Sequence, residues 1–166
     1  MIVLGVDPGL TGALGVVSSR DGLLHCMDLP ICGNGTSTGS MKHWIDVRAL
    51  DVALRSLAER LVFAAESVHV FIERPIPMPT LPAQTIASQF DTFGAVRALL
   101  ESKTWGRELR HVNPQEWKAM FKLGKNKDAS RETCRSLYPT APVPLVKHHN
   151  RAESILIAHY GLRTLL

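Results

Sequence analysis

Residues 2–29 read IVLGVDPGLTGALGVVSSRDGLLHCMDL, and the three short apolar runs in this stretch decide the fold. Ile2 to Asp7 is the first strand. Gly12 to Ser18 is the second, reached through the Pro8-Gly9 turn. Residues 23–29 are the third, reached through the Asp21-Gly22 turn signal. Two tight connections leave no room for a crossover helix, so the chain begins as an antiparallel meander. A dinucleotide fingerprint needs a glycine turn that opens a helix. Here Asp7-Pro8-Gly9 leads into another strand, which excludes that pattern.

Outward from this stretch, residues 31–40 (ICGNGTSTGS) read as a Gly/Ser/Thr-rich loop. Residues 46–66 carry a helical stripe at Val47, Leu50, Leu54, Leu57, Leu61 and Ala64. Val68 to Glu73 is a short β-branched run and predicts a buried strand. Arg74 to Pro82 holds prolines at 75, 77, 79 and 82, which bars a regular helix or a central strand. A helix is expected from about Ala83 to Ser102, then a strand over Leu109 to Val112. Asn113-Pro114-Gln115-Glu116 is a helix start, with Asn as cap and Pro in the first turn. Residues 122–127 (KLGKNK) end that helix. Further helices are expected over Ala129 to Leu137 and His149 to Leu162. The order β-β-β-α-β-α-β-α-α-α predicts an α/β fold in one domain spanning 1–166. Its mixed five-stranded sheet has three antiparallel strands first and helices on its flanks.

Composition agrees with a packed domain. Of 166 residues, 45% are hydrophobic and 20% charged, which argues against a disordered chain. The apolar runs fall short of the ~18–20 residues of a membrane span. No basic segment precedes Ile2, so no signal peptide is read. Cys26, Cys32 and Cys134 form no CxxC pair and are an odd number. They read as free thiols of a cytoplasmic protein. The net charge of +4 is uneven. Residues 1–100 hold 7 Lys/Arg against 9 Asp/Glu, and residues 101–166 hold 12 against 6. A basic C-terminal third suggests a polyanionic partner, nucleic acid first, although a solvated basic face carries the same signature.

Three carboxylates adjoin apolar runs that should fix their positions. Asp7 closes the first strand, Glu73 closes the fourth, and Glu153 lies near the start of the last helix. If the first and fourth strands are neighbours, their ends bring Asp7 and Glu73 together, and the last helix can bring Glu153 to them. Like charges in one site repel unless a cation lies among them. Hard oxygen donors suit Mg²⁺, with Mn²⁺ as a substitute. Two such ions about 3.5–4 Å apart activate a water and stabilise a leaving oxygen. Each carboxylate taken singly is more often structural. Lys147-His148-His149-Asn150-Arg151-Ala152-Glu153 adds candidates. His149 and Glu153 share a helix face, as do Asn150 and Glu153, and His148 lies just before the helix. A histidine here suits a fourth metal-site position or a proton carrier. Arg151 is expected to face outward.

Val6-Asp7-Pro8-Gly9, Phe71-Ile72-Glu73 and His149-Asn150-Arg151-Ala152-Glu153, in this order, resemble the RuvC family of Holliday-junction resolvases. The likeness is greatest to its phage-type and chloroplast-type branches, and it runs from Ile2 to about Tyr160. It implies an RNase H-like fold, a homodimer, and Mg²⁺-dependent nicking of four-way DNA junctions. Carried over by position, Asp7, Glu73 and Glu153 match the family's acids, with Asp7 anchoring two metal ions. The chain departs from the pattern at the fourth position. Many relatives have aspartate there, and this chain offers His148, His149 or Asn150, with a histidine favoured and His149 taken as the metal ligand. The setting implied is the cytoplasm of a bacterial or phage-infected cell; an organellar one stays open.

The resemblance also organises the remainder. The helix from Gln84 to Leu100, with Ile86, Phe90, Phe93, Val96 and Leu100 on one stripe and Gly94 for close approach, would be the dimer helix, or would pack on its own sheet. Between Lys103 and Arg135 there are nine Lys/Arg against four Asp/Glu. Lys118, Lys122, Lys125, Lys127 and Arg131 are the expected phosphate contacts. Ile76, Met78 and Leu81 in the proline-rich loop either wedge at the junction's centre or merely connect. Three rivals remain. One is another RNase H-like nuclease acting on RNA–DNA hybrids or flaps. Another is a junction-binding module without catalysis. The most distant is an ATP-binding protein of the actin/sugar-kinase type, for which a second phosphate loop is missing.

Overall fold

The computed structural model describes residues 1–33, 43–103, 106–124 and 126–166. The three N-terminal strands form as the turn chemistry dictates. These are β1 (Ile2–Asp7), β2 (Ala13–Ser18) and β3 (Gly22–Asp28). β2 pairs antiparallel with both β1 and β3. Gly22 takes φ +74°, a value that suits glycine in the Asp21-Gly22 turn. The chain returns to the sheet as β6 (Val68–Glu73), parallel to β1, and then as β7 (Gly106–Val112), parallel to β6. The sheet order is β3-β2-β1-β6-β7.

Alternation along the strands sends residues to two faces. Leu4, Val6, Leu14, Val16, Val70 and Ile72 pack with α1 (Val47–Arg60) and α2 (Ala83–Glu101). Val3, Val17 and Phe71 pack with Ile155, Leu156 and Leu162 of α5 (His149–Leu165) and with Trp117 of α3 (Pro114–Met120). α4 (Lys127–Leu137) joins this second face through Cys134. The result is a sheet between two helical layers. Each large apolar side chain buried in these layers contributes roughly 1.5–3 kcal/mol.

Caps act where the sequence places them. The Asn113 side chain accepts from the Gln115 backbone N–H at 2.8 Å, and Asp46 accepts from that of Ala49 at 2.9 Å. Asn126 does the same for Asp128, so α4 opens at Lys127, two residues earlier than periodicity suggests.

Three expectations need correction, and one of the two readings of the α2 stripe is borne out. Residues 31–33 are not part of a loop: β4 (Ile31–Gly33) pairs antiparallel with β5 (His43–Ile45), and the rest of the expected loop lies outside the described residues. The helix expected over 46–66 stops at Arg60. Val62 takes φ 52°, which turns the chain so that Phe63 enters the core at 1% exposure. The last sheet strand begins at Gly106 rather than Leu109, because its pairing with β6 extends further than its apolar run. Lastly, the α2 stripe is not free for a partner. Phe93, Val96 and Leu100 are buried against the chain's own sheet, and only Phe90 of that stripe is exposed. Among the described residues no helix is long and apolar enough to cross a membrane.

Candidate active site

β1 and β6 lie side by side and parallel, with Val6 opposite Ile72. The next residues, Asp7 and Glu73, therefore leave the sheet at the same edge. This follows from register and would fail with a one-residue slip. Glu153 arrives from α5, which lies directly on β1 and β2. A Cβ on Gly5 would fall 2.2 Å from the Ala158 nitrogen and the Ser154 oxygen, and one on Gly15 would fall 2.8 Å from the Ile155 Cα. Two glycines thus let the helix sink onto the strands, and this seats Glu153 above Asp7.

The acids are not equivalent. Burial, followed by repulsion from Glu73 and Glu153, raises Asp7 to about 8; a backbone hydrogen bond from Gly9 and the nearby Lys118 oppose this. Burial also raises Glu73 above the usual carboxylate range. Its Oε2 accepts from the Trp117 indole N–H at 2.6 Å. Glu153 accepts from the Ser130 hydroxyl at 3.2 Å and lies 3.5 Å from the Lys118 ammonium. Lys118 is held at 5.0 Å over the Trp117 ring.

Two cavities meet at Asp7 and Lys118. The first, about 490 Å³, is lined by Glu73, Pro75, Ile76, Met78 and Leu81. The second, about 380 Å³, is lined by Ser130, His149, Asn150 and Glu153. The geometry separates the three candidates for the fourth position. His149 faces the second cavity, with its Nδ1 3.4 Å from the Val146 carbonyl oxygen. Asn150 also lines it, but its amide nitrogen donates to the Thr11 carbonyl and hydroxyl at 2.6 and 2.8 Å, tying α5 to the β1–β2 turn. His148 lines neither cavity. Its Nδ1 accepts from the Leu145 N–H at 3.3 Å, and its charged neighbours are Arg151, Lys147, Asp28 and Arg131.

The donor set suits a divalent cation by its chemistry. Three carboxylates meet with one ammonium near them, and burial and mutual repulsion make Asp7 and Glu73 reluctant to ionise alone. As they stand, Glu73 is bonded to Trp117, and Glu153 to Ser130 and Lys118. Among the described residues no three acidic, histidine or cysteine side chains are gathered closely enough to share one ion.

The expected phosphate contacts divide. Lys118 is inside the carboxylate cluster instead of on a distant basic surface. Lys122 is exposed, on a turn where it takes φ 53°. Lys127 begins α4, and Lys125 lies outside the described residues. Arg131 is turned inward at 6% exposure. Its guanidinium donates to Asp128 at 2.5 Å and to the carbonyls of Val143 and Pro144, so it braces the segment before α5 and is not a free phosphate contact. Arg151 does not face solvent alone either: its Nε and an Nη donate to Asp28 at 2.6 and 2.5 Å. Sequence reasoning names neither Trp117 nor Ser130 as part of the site. Trp117-Lys118, one turn beyond the Asn113-Pro114 cap, was a usable signal; Ser130 offered none.

No family model and no curated protein matches the chain. Solved structures do. Thermus thermophilus RuvC in complex with a Holliday junction substrate superposes with a TM-score of 0.60 at 16% identity, over 99% of this chain and 96% of that one. A second Thermus thermophilus RuvC structure superposes at 0.56 with 18% identity, over the same shares. This chain therefore has the RNase H-like fold of those proteins, as the order of its motifs implies.

Proposed function

We propose that the protein is a structure-selective endonuclease that resolves four-way DNA junctions by hydrolysing phosphodiester bonds. One observation carries the reading: Asp7, Glu73 and Glu153, far apart in the chain, meet at one sheet edge beside Lys118. The likeness to a RuvC in complex with a Holliday junction substrate supports the choice of substrate.

A bound divalent cation, Mg²⁺ or Mn²⁺, with two per site as the full complement, would supply an acidified water and a counter-charge for the leaving oxygen. Asp7, Glu73, Glu153 and His149 would hold it. The chain's own groups do the remainder. Asp7, at the meeting of both cavities, would anchor the cation, since its carboxylate alone would repel the phosphate. Trp117 holds the Glu73 carboxylate and Ser130 the Glu153 carboxylate in fixed orientations. Lys118, already beside the carboxylates, meets the negative charge of the scissile phosphate. Where His149 is not holding the cation, its imidazole would instead take the proton released by the attacking water. Lys122 and Lys127 hold the flanking backbone without reading sequence. Ile76 and Met78 are exposed on the rim and able to enter an open junction.

Symmetric cutting requires two copies. We infer that they pair through the outer side of α2, where Ala87 and Ala98 are exposed and a Cβ on Gly94 would meet nothing within 4 Å. The deciding experiment offers a labelled mobile four-way junction, an RNA–DNA hybrid, a flap and linear duplex in Mg²⁺. Paired symmetric nicks in the junction alone are expected. Equal rates on linear duplex would refute the reading.

A further inference from the structure

Between α4 and α5 the chain runs Pro142-Val143-Pro144-Leu145-Val146-Lys147-His148. Its middle turns two aliphatic side chains to solvent: Leu145 is 51% exposed and Val146 62%. The backbone beneath them is braced. Arg131 donates to the carbonyls of Val143 and Pro144, and Arg151 donates to that of Pro142 at 3.3 Å. Val143 is buried in the second core, and two prolines fix their own φ angles. A single helical turn, Val146–His148, then leads into α5, with the His148 N–H donating to the Leu145 carbonyl at 2.9 Å. This tip adjoins the candidate site. The Val146 carbonyl oxygen lies 3.4 Å from Nδ1 of His149, which lines the second catalytic cavity. A carbonyl only accepts, so in the neutral ring Nδ1 carries the proton and Nε2 the lone pair. Asp28 and Asp128 are each paired with one of the bracing arginines. Lys147 is exposed and has no ion pair among the described residues.

We propose that Leu145 and Val146 pack against the deoxyribose wall of the minor groove in the DNA arm beside the second cavity, with Lys147 on a phosphate at the groove's edge. The proposal rests on the nuclease reading and deepens it. Two aliphatic side chains are far too few for a lasting protein–protein interface, which takes roughly 20–30 residues a side. They suffice at a minor groove, where single apolar side chains enter and sugar carbons form the walls. The unpaired Lys147 beside them suits a polyanion. A surface already fixed by two arginines loses little freedom on docking. Sugar carbons are alike under every base, so this contact is blind to sequence. It would bring the backbone to the cavity with the His149 ring already oriented from Val146.

The test measures binding of a fluorescent four-way junction to the full-length protein by anisotropy, in Ca²⁺ over a series of salt concentrations. Leu145→Ser combined with Val146→Ser should weaken binding about tenfold at every salt concentration, as loss of an apolar contact does. The slope of log Kd against log salt should stay that of wild type. Lys147→Met should instead lower that slope by about 0.9, one phosphate contact. Leu145→Met combined with Val146→Ile stays aliphatic and should bind within about twofold of wild type. A serine pair that binds as tightly as wild type, or whose loss changes with salt, overturns the proposal. So does loss of self-association by the serine pair in sedimentation, which would make the tip a contact between two copies of the chain. Should the serine pair fail to fold, Lys147→Met decides, and an unchanged slope overturns the proposal. Tip-dependent binding by a protein that never cuts the junction in Mg²⁺ would sink the nuclease reading and keep the contact. Wild type that binds no junction would sink both.

Discussion

Two charged clusters lie within the first turns of α5, and they are built on opposite principles. On the β3 side, Asp28 and Arg151 meet in a two-pronged pair, and the guanidinium holds the Asp28 carboxyl below its usual range. On the β1 side, Asp7, Glu73 and Glu153 converge, with Lys118 the one cation recorded beside them among the described residues, and Asp7 rises to about 8. The first cluster is neutral and already satisfied, and it fastens the helix to the sheet. The second is unsatisfied, which is the usual mark of a site waiting for a charged ligand. The same helix needs both: Arg151 fixes the position of α5, and Glu153, two residues on, uses that position.

The comparison breaks most readily at Asp7. Asp7→Asn should reduce junction cutting in Mg²⁺ to background while a gel-shift assay still shows junction binding. Retained nicking would place the chemistry elsewhere. The two histidines come next. His149→Ala should slow single-turnover cutting about 10²-fold, whereas His148→Ala, outside both cavities, should change it less than twofold in the same assay.

The clusters should also respond to pH with opposite signs. Asp7 binds its proton more tightly in the folded protein than in the unfolded chain. In metal-free buffer it therefore contributes stability that is lost as pH rises from about 4 to about 8. Asp28 has a depressed pKa, so its contribution is present above its ordinary carboxylate range and is lost on acidification. Thermal melts in EDTA should show Asp7→Asn raising Tm at pH 8 and having little effect at pH 4. Asp28→Asn should lower Tm at pH 7 and converge with wild type in acid. Asp28 is 58% exposed and Arg151 27%, so solvent screening limits the pair to about 1 kcal/mol. For a chain of this length that is roughly 2–4 °C. The smallest effect on folding belongs to Gly94→Leu. It should leave Tm nearly unchanged and weaken self-association in analytical ultracentrifugation.

Legibility in the sequence followed the range of the forces involved. Turn signals at Pro8-Gly9 and Asp21-Gly22, the Asn113 cap and the stripe of Leu50, Leu54 and Leu57 are local, and the structure reproduces each. The ends of the helix over 47–60 and of β7 were less legible, since a left-handed Val62 and pairing with β6 decide them. The candidate site divides in the same way. Asp7 and Glu73 could be named because each ends an apolar run, and Glu153 because it lies just before the run from Ile155 to Ala158. Arg131 was misjudged because a cation on an amphipathic helix has the same pattern whether it meets solvent or the carbonyls of Val143 and Pro144.

By itself, then, the sequence determined the order of the five strands of the main sheet and of the helices, the antiparallel start and which three acids are candidates. These depend on residue type and near neighbours, which periodicity and turn chemistry record directly. The tertiary structure decided which of His148, His149 and Asn150 faces the acids, that Lys118 joins them, and that Phe93, Val96 and Leu100 turn inward. Those outcomes depend on how closely α5 settles on Gly5 and Gly15 and on the register of β1 against β6. Both are set by the packing of the whole core, to which no short stretch of chain has access.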